Sequence, residues 1–253
     1  MISLKTDNWH INEIDTIIFD KDGTFIDLHY FWGKMTELRA QEIIKRYSLD
    51  TNLLSQLCLF LGYNQATGKM LKDGITALYS RPIIIEIFCK DLNDIGIKIT
   101  EKEIESIFDD VNKIFYKNMV KYTKPIDSAI DFIKEVKKLG LKTGIVTSDS
   151  KESTLLTLKH FYWENLFDTV IGRESTKETK ESGIPVKMAL EEINANPNNT
   201  IMIGDAPMDY IAAKNAGIEK TILVATGQIE KEELNNTSNY TIDNLENVKI
   251  LTE

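Results

Sequence analysis

Ile17-Ile18-Phe19-Asp20-Lys21-Asp22-Gly23-Thr24 is the stretch on which the fold turns: three bulky apolar residues run into two carboxylates that bracket a lysine, and a glycine follows. The apolar run from about Asp15 to Phe19, bounded by polar residues, is too short for a helix and predicts a buried strand. Asp and Gly after it are ordinary turn chemistry. On its own, the stretch is a strand ending in a polar turn.

Beyond it the texture changes. From about 28 to 121 apolar residues recur at helical spacing, as in Met35, Leu38, Ile43 and Ile44, and later Ile104, Ile107, Phe108, Val111 and Phe115. This predicts a segment that is helical throughout. After Pro125 helix and strand alternate: an apolar stripe from Ile126 to Leu139 is closed by Gly140, and the strand of "LKTGIVTS" follows at once. Further strands are expected at Thr169 to Ile171, Thr200 to Ile203 and Thr221 to Val224, with helices near Pro185 to Asn194 and Met208 to Ala216.

Such alternation implies an α/β fold, a doubly wound and mostly parallel sheet with helices on both faces. The expected organisation is a discontinuous α/β core, residues 1–27 and 122–253, with an inserted α-helical cap domain over residues 28–121. The insertion falls a few residues past Asp20 and Asp22, which would set the cap over them.

Composition narrows the functional classes. At 253 residues, 42% hydrophobic and 27% charged, the chain has the make-up of an ordinary globular protein with a substantial core. A formal net charge of −9 repels nucleic acid and anionic lipid, and no basic run offsets it, so neither is expected as a partner. Only Cys58 and Cys89 occur, both in apolar segments, which fits a reducing compartment. Met1 to Asn12 is too polar for a signal peptide, and no apolar run reaches the roughly 18 residues of a membrane span. A cytoplasmic location is expected, and the oligomeric state is left open.

Three of the expected strands end in polar groups suited to one reaction: Asp20, then Thr147 and Ser148 in "GIVTSDS", then Asp205 in "IMIGDAPMD" with Asp209 close behind. In a parallel sheet all of these converge on one edge. Carboxylates gathered there repel one another; two unit charges about 4 Å apart cost roughly 4 kcal/mol at an effective dielectric near 20. Oxygen-only ligands select a hard cation, of which Mg²⁺ is the common choice. His10, His29 and His160 show no ligand spacing. "GYNQATGKM" is not a P-loop, since five residues separate its glycines where four are needed and Met70 stands in place of Ser or Thr.

"DKDGT", the threonine of "GIVTS", a lysine in the loop after the third strand and "GDAPMD" together resemble the four motifs of the haloacid dehalogenase superfamily, in its helical-cap phosphatase branch. The resemblance runs from about Asp15 to Val224 with the motif order intact, and is nearest to the phosphoglycolate phosphatase type. It implies that Asp20 is the nucleophile that becomes an aspartyl phosphate, and that Asp22 is the general acid and base. It implies that Thr147 or Ser148 binds a phosphoryl oxygen, and that Lys180, with Lys177 competing for the role, neutralises phosphoryl charge. Mg²⁺ would be held by the carboxylates of Asp20 and Asp205 and the backbone carbonyl of Asp22, with Asp209 in support.

The expected activity is that of a Mg²⁺-dependent hydrolase of a small phosphorylated metabolite, such as a phosphoglycolate-like or sugar-phosphate-like ester. The alternatives are a phosphomutase of the β-phosphoglucomutase type and a non-catalytic binding protein that keeps the fold. A phosphonatase would need a cap lysine, for which Lys34 and Lys69 are available by location. His29, Tyr30, Trp32, Lys34 and Arg39 are candidates to read the leaving group.

Overall fold

A computed structural model describes residues 2–252. The chain divides into two compact units, one made of the segments up to Asp27 and from Pro125 onward, the other Leu28–Lys124.

The first unit begins with β1 (Ile2–Lys5), β2 (His10–Ile14) and β3 (Thr16–Phe19). The helical segment contributes only a small hairpin, β4 (Tyr63–Asn64) and β5 (Lys69–Met70). The first unit then continues with β6 (Lys142–Val146), β7 (Thr169–Ile171), β8 (Thr200–Gly204), β9 (Lys220–Val224), β10 (Tyr240–Ile242) and β11 (Lys249–Thr252). Its main sheet has six parallel strands in the order β10-β9-β8-β3-β6-β7. The α/β class with a parallel sheet is therefore the observed one.

β3 sits in the middle of that sheet, and all four of its residues are buried. Successive side chains of a strand point to opposite faces. Ile18 accordingly packs with Val146, Ile171, Val186, Leu190 and Met202 on one side. Phe19 meets Phe132 and Phe167 edge to face at 6.5 and 6.1 Å. A strand covered on both faces has to be continuously apolar, which is why the opening run reads as it does.

The helix Asp127–Lys138 buries Ala129, Ile130, Phe132, Ile133 and Val136, and Gly140, at a φ of 85°, stops it. The helix Pro207–Asn215 places small residues, Ala212 and Ala213, against the sheet. A second sheet, β11-β1-β2, is antiparallel and joins the two ends of the chain, pairing Leu4 with Ile250 and Lys5 with His10. Nothing in the sequence periodicity pointed to it.

In the second unit the long helices Leu28–Arg46 and Glu101–Lys117 lie side by side: the rings of Phe31 and Phe115 are 4.9 Å apart, and Arg39 stacks 4.0 Å over Phe108. Thr100 starts the second of them with a capping box, its backbone N–H donating to Glu103 Oε2 at 2.8 Å.

Two expectations need correction here. The segment is not helical throughout, because the Asn64 side chain accepts from the N–H groups of Ala66 and Thr67 and folds "GYNQATGKM" into the β4-β5 hairpin. The division also falls after Lys124 and not after 121. The short helix Met119–Tyr122 stays with the helical unit, Tyr122 stacking on Phe115 at 5.2 Å and Tyr30 Oη donating to the Lys121 carbonyl at 3.1 Å. No helix among the described residues is long and apolar enough to cross a membrane.

Candidate active site

The register of the sheet sets the site. Phe19 pairs with Ile145 on one side and Ile203 on the other, so β3, β6 and β8 end side by side. The next residues along each strand, Asp20, Thr147 and Asp205, leave the same edge. Asp20 is tied at its backbone, its N–H donating to the Ile203 carbonyl at 2.8 Å. Asp209 enters from the first turn of the helix that follows β8, and its Oδ2 accepts from the Ala206 N–H at 3.1 Å.

Asp20, Asp205 and Asp209 form one buried cluster in which a carboxylate oxygen from each lies within 4.8 Å of the others. Two glycines make room for Asp205: a Cβ on either Gly23 or Gly227 would overlap its carboxylate. Gly23 also turns the chain at a φ of 90°, and Thr226 Oγ1 donates to its carbonyl at 2.5 Å, which joins the loop after β9 to the loop after β3.

Lys180 completes the cluster, its Nζ 2.5 Å from Asp20 Oδ1 and 2.6 Å from Asp209 Oδ1. It lies in the short turn Lys180–Ser182, which Gly183, at a φ of 77°, presses so closely against Asn215 that a Cβ there would collide with it. Asn215 Nδ2 donates to the Glu181 carbonyl at 2.7 Å and pins the loop. Of the two competing lysines, Lys180 is buried in the cluster and Lys177 is exposed.

The electrostatics follow from burial. Removal from water is the largest influence on Asp20; the Lys180 ammonium opposes it, Asp209 and Asp22 add to it, and the carboxyl is pushed up to about 7. Burial, with Asp20 and Asp209 as neighbours, holds Asp205 well above the ordinary carboxylate range. For Lys180 burial disfavours the charge, yet Asp20 and Asp209 outweigh it and raise the ammonium above its usual range. Three carboxylates against one ammonium leave an excess of negative charge among oxygen-only donors. That donor set fits a hard divalent cation.

Thr147 is buried at the end of β6, its N–H donating to the Ile171 carbonyl and its Oγ1 accepting from the Asp149 N–H at 3.1 Å. Ser148 is exposed, its hydroxyl 3.9 Å from Met208 Sδ. The side chain of Asp22 stands apart from the three-carboxylate cluster and pairs with Lys21, 2.8 Å away. Lys21 is fully buried and also reaches Asp149 Oδ2 at 2.9 Å. Neither Asp149 nor Gly227 was read as part of a site from the sequence. Their only signal was position, each lying three residues past a strand of the parallel sheet.

Comparison with known proteins matches residues 17–224 to the family model described as haloacid dehalogenase-like hydrolase. The chain belongs to this family. The match spans the expected motif order and takes in every residue of the cluster. A candidate pyrophosphatase PpaX from Caldanaerobacter subterraneus subsp. tengcongensis is 28% identical over 208 residues, covering 81% of this chain and 80% of that one. Among solved structures, a predicted phosphoglycolate phosphatase from Haemophilus somnus superposes with a TM-score of 0.70 at 16% identity, covering 93% of this chain and 96% of that one. A candidate β-phosphoglucomutase from Thermotoga maritima superposes with a TM-score of 0.65 at 19% identity, covering 92% and 95%. The two solved structures share the fold of this chain, and the three proteins differ in the reactions their names give. The protein is thus a hydrolase of this family by descent, and its substrate has to be argued from the site.

Proposed function

We propose that this hydrolase is a Mg²⁺-dependent phosphatase that acts on a small phosphorylated compound through a phosphoryl group carried on Asp20. The observation that carries the reading is the contact of Lys180 Nζ with Asp20 Oδ1 inside a buried cluster with Asp205 and Asp209. A carboxylate held beside an ammonium and two further carboxylates is of little use in a core. It is proportionate equipment for displacing an ester oxygen at phosphorus.

In the first step an oxygen of Asp20 bonds to phosphorus as the bond to the leaving oxygen breaks, and Asp22 gives that oxygen its proton. In the second, Asp22 takes a proton from water, the water oxygen bonds to phosphorus, and the bond to Asp20 breaks to release orthophosphate. Lys180 holds positive charge against the phosphoryl oxygens throughout, and Thr147 Oγ1 donates to one of them. Mg²⁺, held by Asp20, Asp205 and Asp209 with the Asp22 carbonyl, would supply further positive charge to the same oxygens.

The leaving group is small on this reading. The names of the pyrophosphatase relatives support inorganic pyrophosphate as a first compound to test, beside phosphoglycolate-like and sugar-phosphate esters. Orthophosphate release from such a panel, with and without Mg²⁺, tests the proposal. Turnover of at least one compound only with Mg²⁺ is expected, and Asp20→Asn should reduce it by at least about 10³-fold while binding survives. Undiminished turnover in that variant would remove Asp20 from the reaction. A phosphomutase would convert its substrate without releasing orthophosphate.

A further inference from the structure

Lys21 is the residue of the opening stretch that this reaction leaves unexplained. Its side chain has no exposed surface, and taking an ammonium out of water is unfavourable unless partners compensate. Asp22 Oδ1 at 2.8 Å and Asp149 Oδ2 at 2.9 Å are carboxylate partners that do so. Burial disfavours the charge, and Asp149 and Asp22 overcome it, so the group remains an ammonium.

Asp149 is itself braced. Its Oδ1 accepts from the Ser150 N–H at 2.7 Å, its N–H donates to Thr147 Oγ1 at 3.1 Å, and its carbonyl accepts from the Arg173 N–H at 2.9 Å. The lysine therefore connects the loop after β3 to a fixed point in the loop after β6. A carboxyl that exchanges protons has to sit within about 2.6–3.2 Å of the reacting oxygen, and misplacement by about 1 Å can cost on the order of 10²-fold in rate.

We propose that Lys21 is a positioning residue: braced by Asp149, it ties down Asp22 Oδ1 and so fixes the side-chain orientation in which Asp22 Oδ2 exchanges the proton with leaving group and water. This rests on the acid and base role proposed above for Asp22. A lysine that only joined two loops would affect folding and leave the chemistry of different leaving groups equally served. A positioning lysine makes a sharper demand. Esters that leave as strongly basic alkoxides need the proton in the transition state, whereas p-nitrophenolate hardly does.

The experiment compares kcat and KM for p-nitrophenyl phosphate and for an alkyl phosphate that the wild type turns over. Lys21→Met is expected to lower kcat on the alkyl ester by on the order of 10²-fold and on the aryl ester by less than about tenfold. KM and inhibition by orthophosphate should stay within about threefold, as expected of an interaction made only in the transition state. Because the single change leaves Asp149 buried without its cation, the double variant Lys21→Met/Asp149→Leu, which removes both charges, is measured alongside. It should melt near the wild type and show the same skew between esters. Equal losses on both esters, or no skew in a variant that melts normally, would overturn the proposal. An Asp22→Asn variant separates this from the larger reading: if it turns over alkyl esters like the wild type, Asp22 is not the acid and the positioning role falls with it.

Discussion

The attack proposed for Asp20 places three demands on one side chain: it must be buried to face the sheet edge, charged to attack, and tolerated beside two other carboxylates. Burial pushes it up to about 7, with Lys180 opposing and Asp209 and Asp22 adding, whereas an aspartate in an unfolded chain titrates at about 3.9. Between those values the metal-free folded protein keeps a proton that the unfolded chain has lost. The stability this group contributes is therefore fully present below about pH 4 and is lost as the pH rises through about 7. A divalent ion bound at the proposed site would take the place of that proton, so its benefit should grow with pH. Melting temperatures at about pH 5 and about pH 8, with and without millimolar Mg²⁺, should show a larger gain at the higher value, and Asp20→Asn should flatten the difference. An equal gain at both would mean that the ion binds elsewhere. Gly227 gives a second test at this scale. A Cβ there would overlap the Asp205 carboxylate, so Gly227→Ala should cost most of the stabilisation by Mg²⁺ while shifting the metal-free melting temperature much less.

At the scale of elements, the helix Leu28–Arg46 carries an oddity in Arg39, which is buried, stacks 4.0 Å over Phe108 and has no carboxylate within ion-pair distance among the described residues. Burial first, and Arg81 second, lower it to about 9. An unpaired buried cation costs stability, and methionine keeps the stem that covers the ring. Arg39→Met is expected to leave the melting temperature unchanged or raise it; a loss of more than about 2 kcal/mol in denaturant unfolding would show that the guanidinium is compensated in the folded state. The same scale shows what the sequence disclosed. β3 and the helix Glu101–Lys117 were legible because burial on two faces or on one stripe writes itself into the spacing of Ile17, Ile18 and Phe19, or of Ile104, Ile107, Phe108, Val111 and Phe115. β1, β2 and β11 were not, since each is four or five residues long and Leu4 finds its partner Ile250 at the far end of the chain. The helix Lys151–His160 also went unread: it buries Ser153, Thr154 and Thr157 in place of an apolar stripe, and its signal lies in the Ser150 hydroxyl that accepts from the Ser153 N–H. In the site, Asp20 and Asp205 were visible as strand ends and Asp209 by its spacing from Asp205. The choice between Lys177 and Lys180 depended on the turn at Gly183, and the partner of Lys21 depended on which strand lay beside β3. Pairing across the sheet is set by topology, which local spacing does not encode.

For the whole molecule, the division of the chain makes a demand on its folding. The core is discontinuous, so the two cut ends must hold together without help from the segment between them. They do so through backbone: the Ile126 N–H donates to the Phe25 carbonyl at 3.0 Å, and Ile26 pairs with Pro125 in an isolated antiparallel bridge. Phe25, fully buried, stacks on Phe167 at 5.4 Å and meets Trp163 edge to face, which anchors the outgoing segment to the core. Asp20, Lys180, Asp205 and Asp209 all belong to this same unit. A chain in which a short Gly/Ser linker replaces Leu28–Lys124 should therefore fold by itself, because closing a shorter loop costs slightly less entropy and no core strand is lost. The expected result is a cooperative thermal transition with native-like far-UV circular dichroism, and a melting temperature that rises with Mg²⁺ as in the intact protein. A broad, non-cooperative melt would mean that the discontinuous core does not fold from its own residues alone. A cooperative melt that ignores Mg²⁺ would mean that Asp20, Asp205 and Asp209 do not by themselves hold the ion, and would count against the metal role proposed for them.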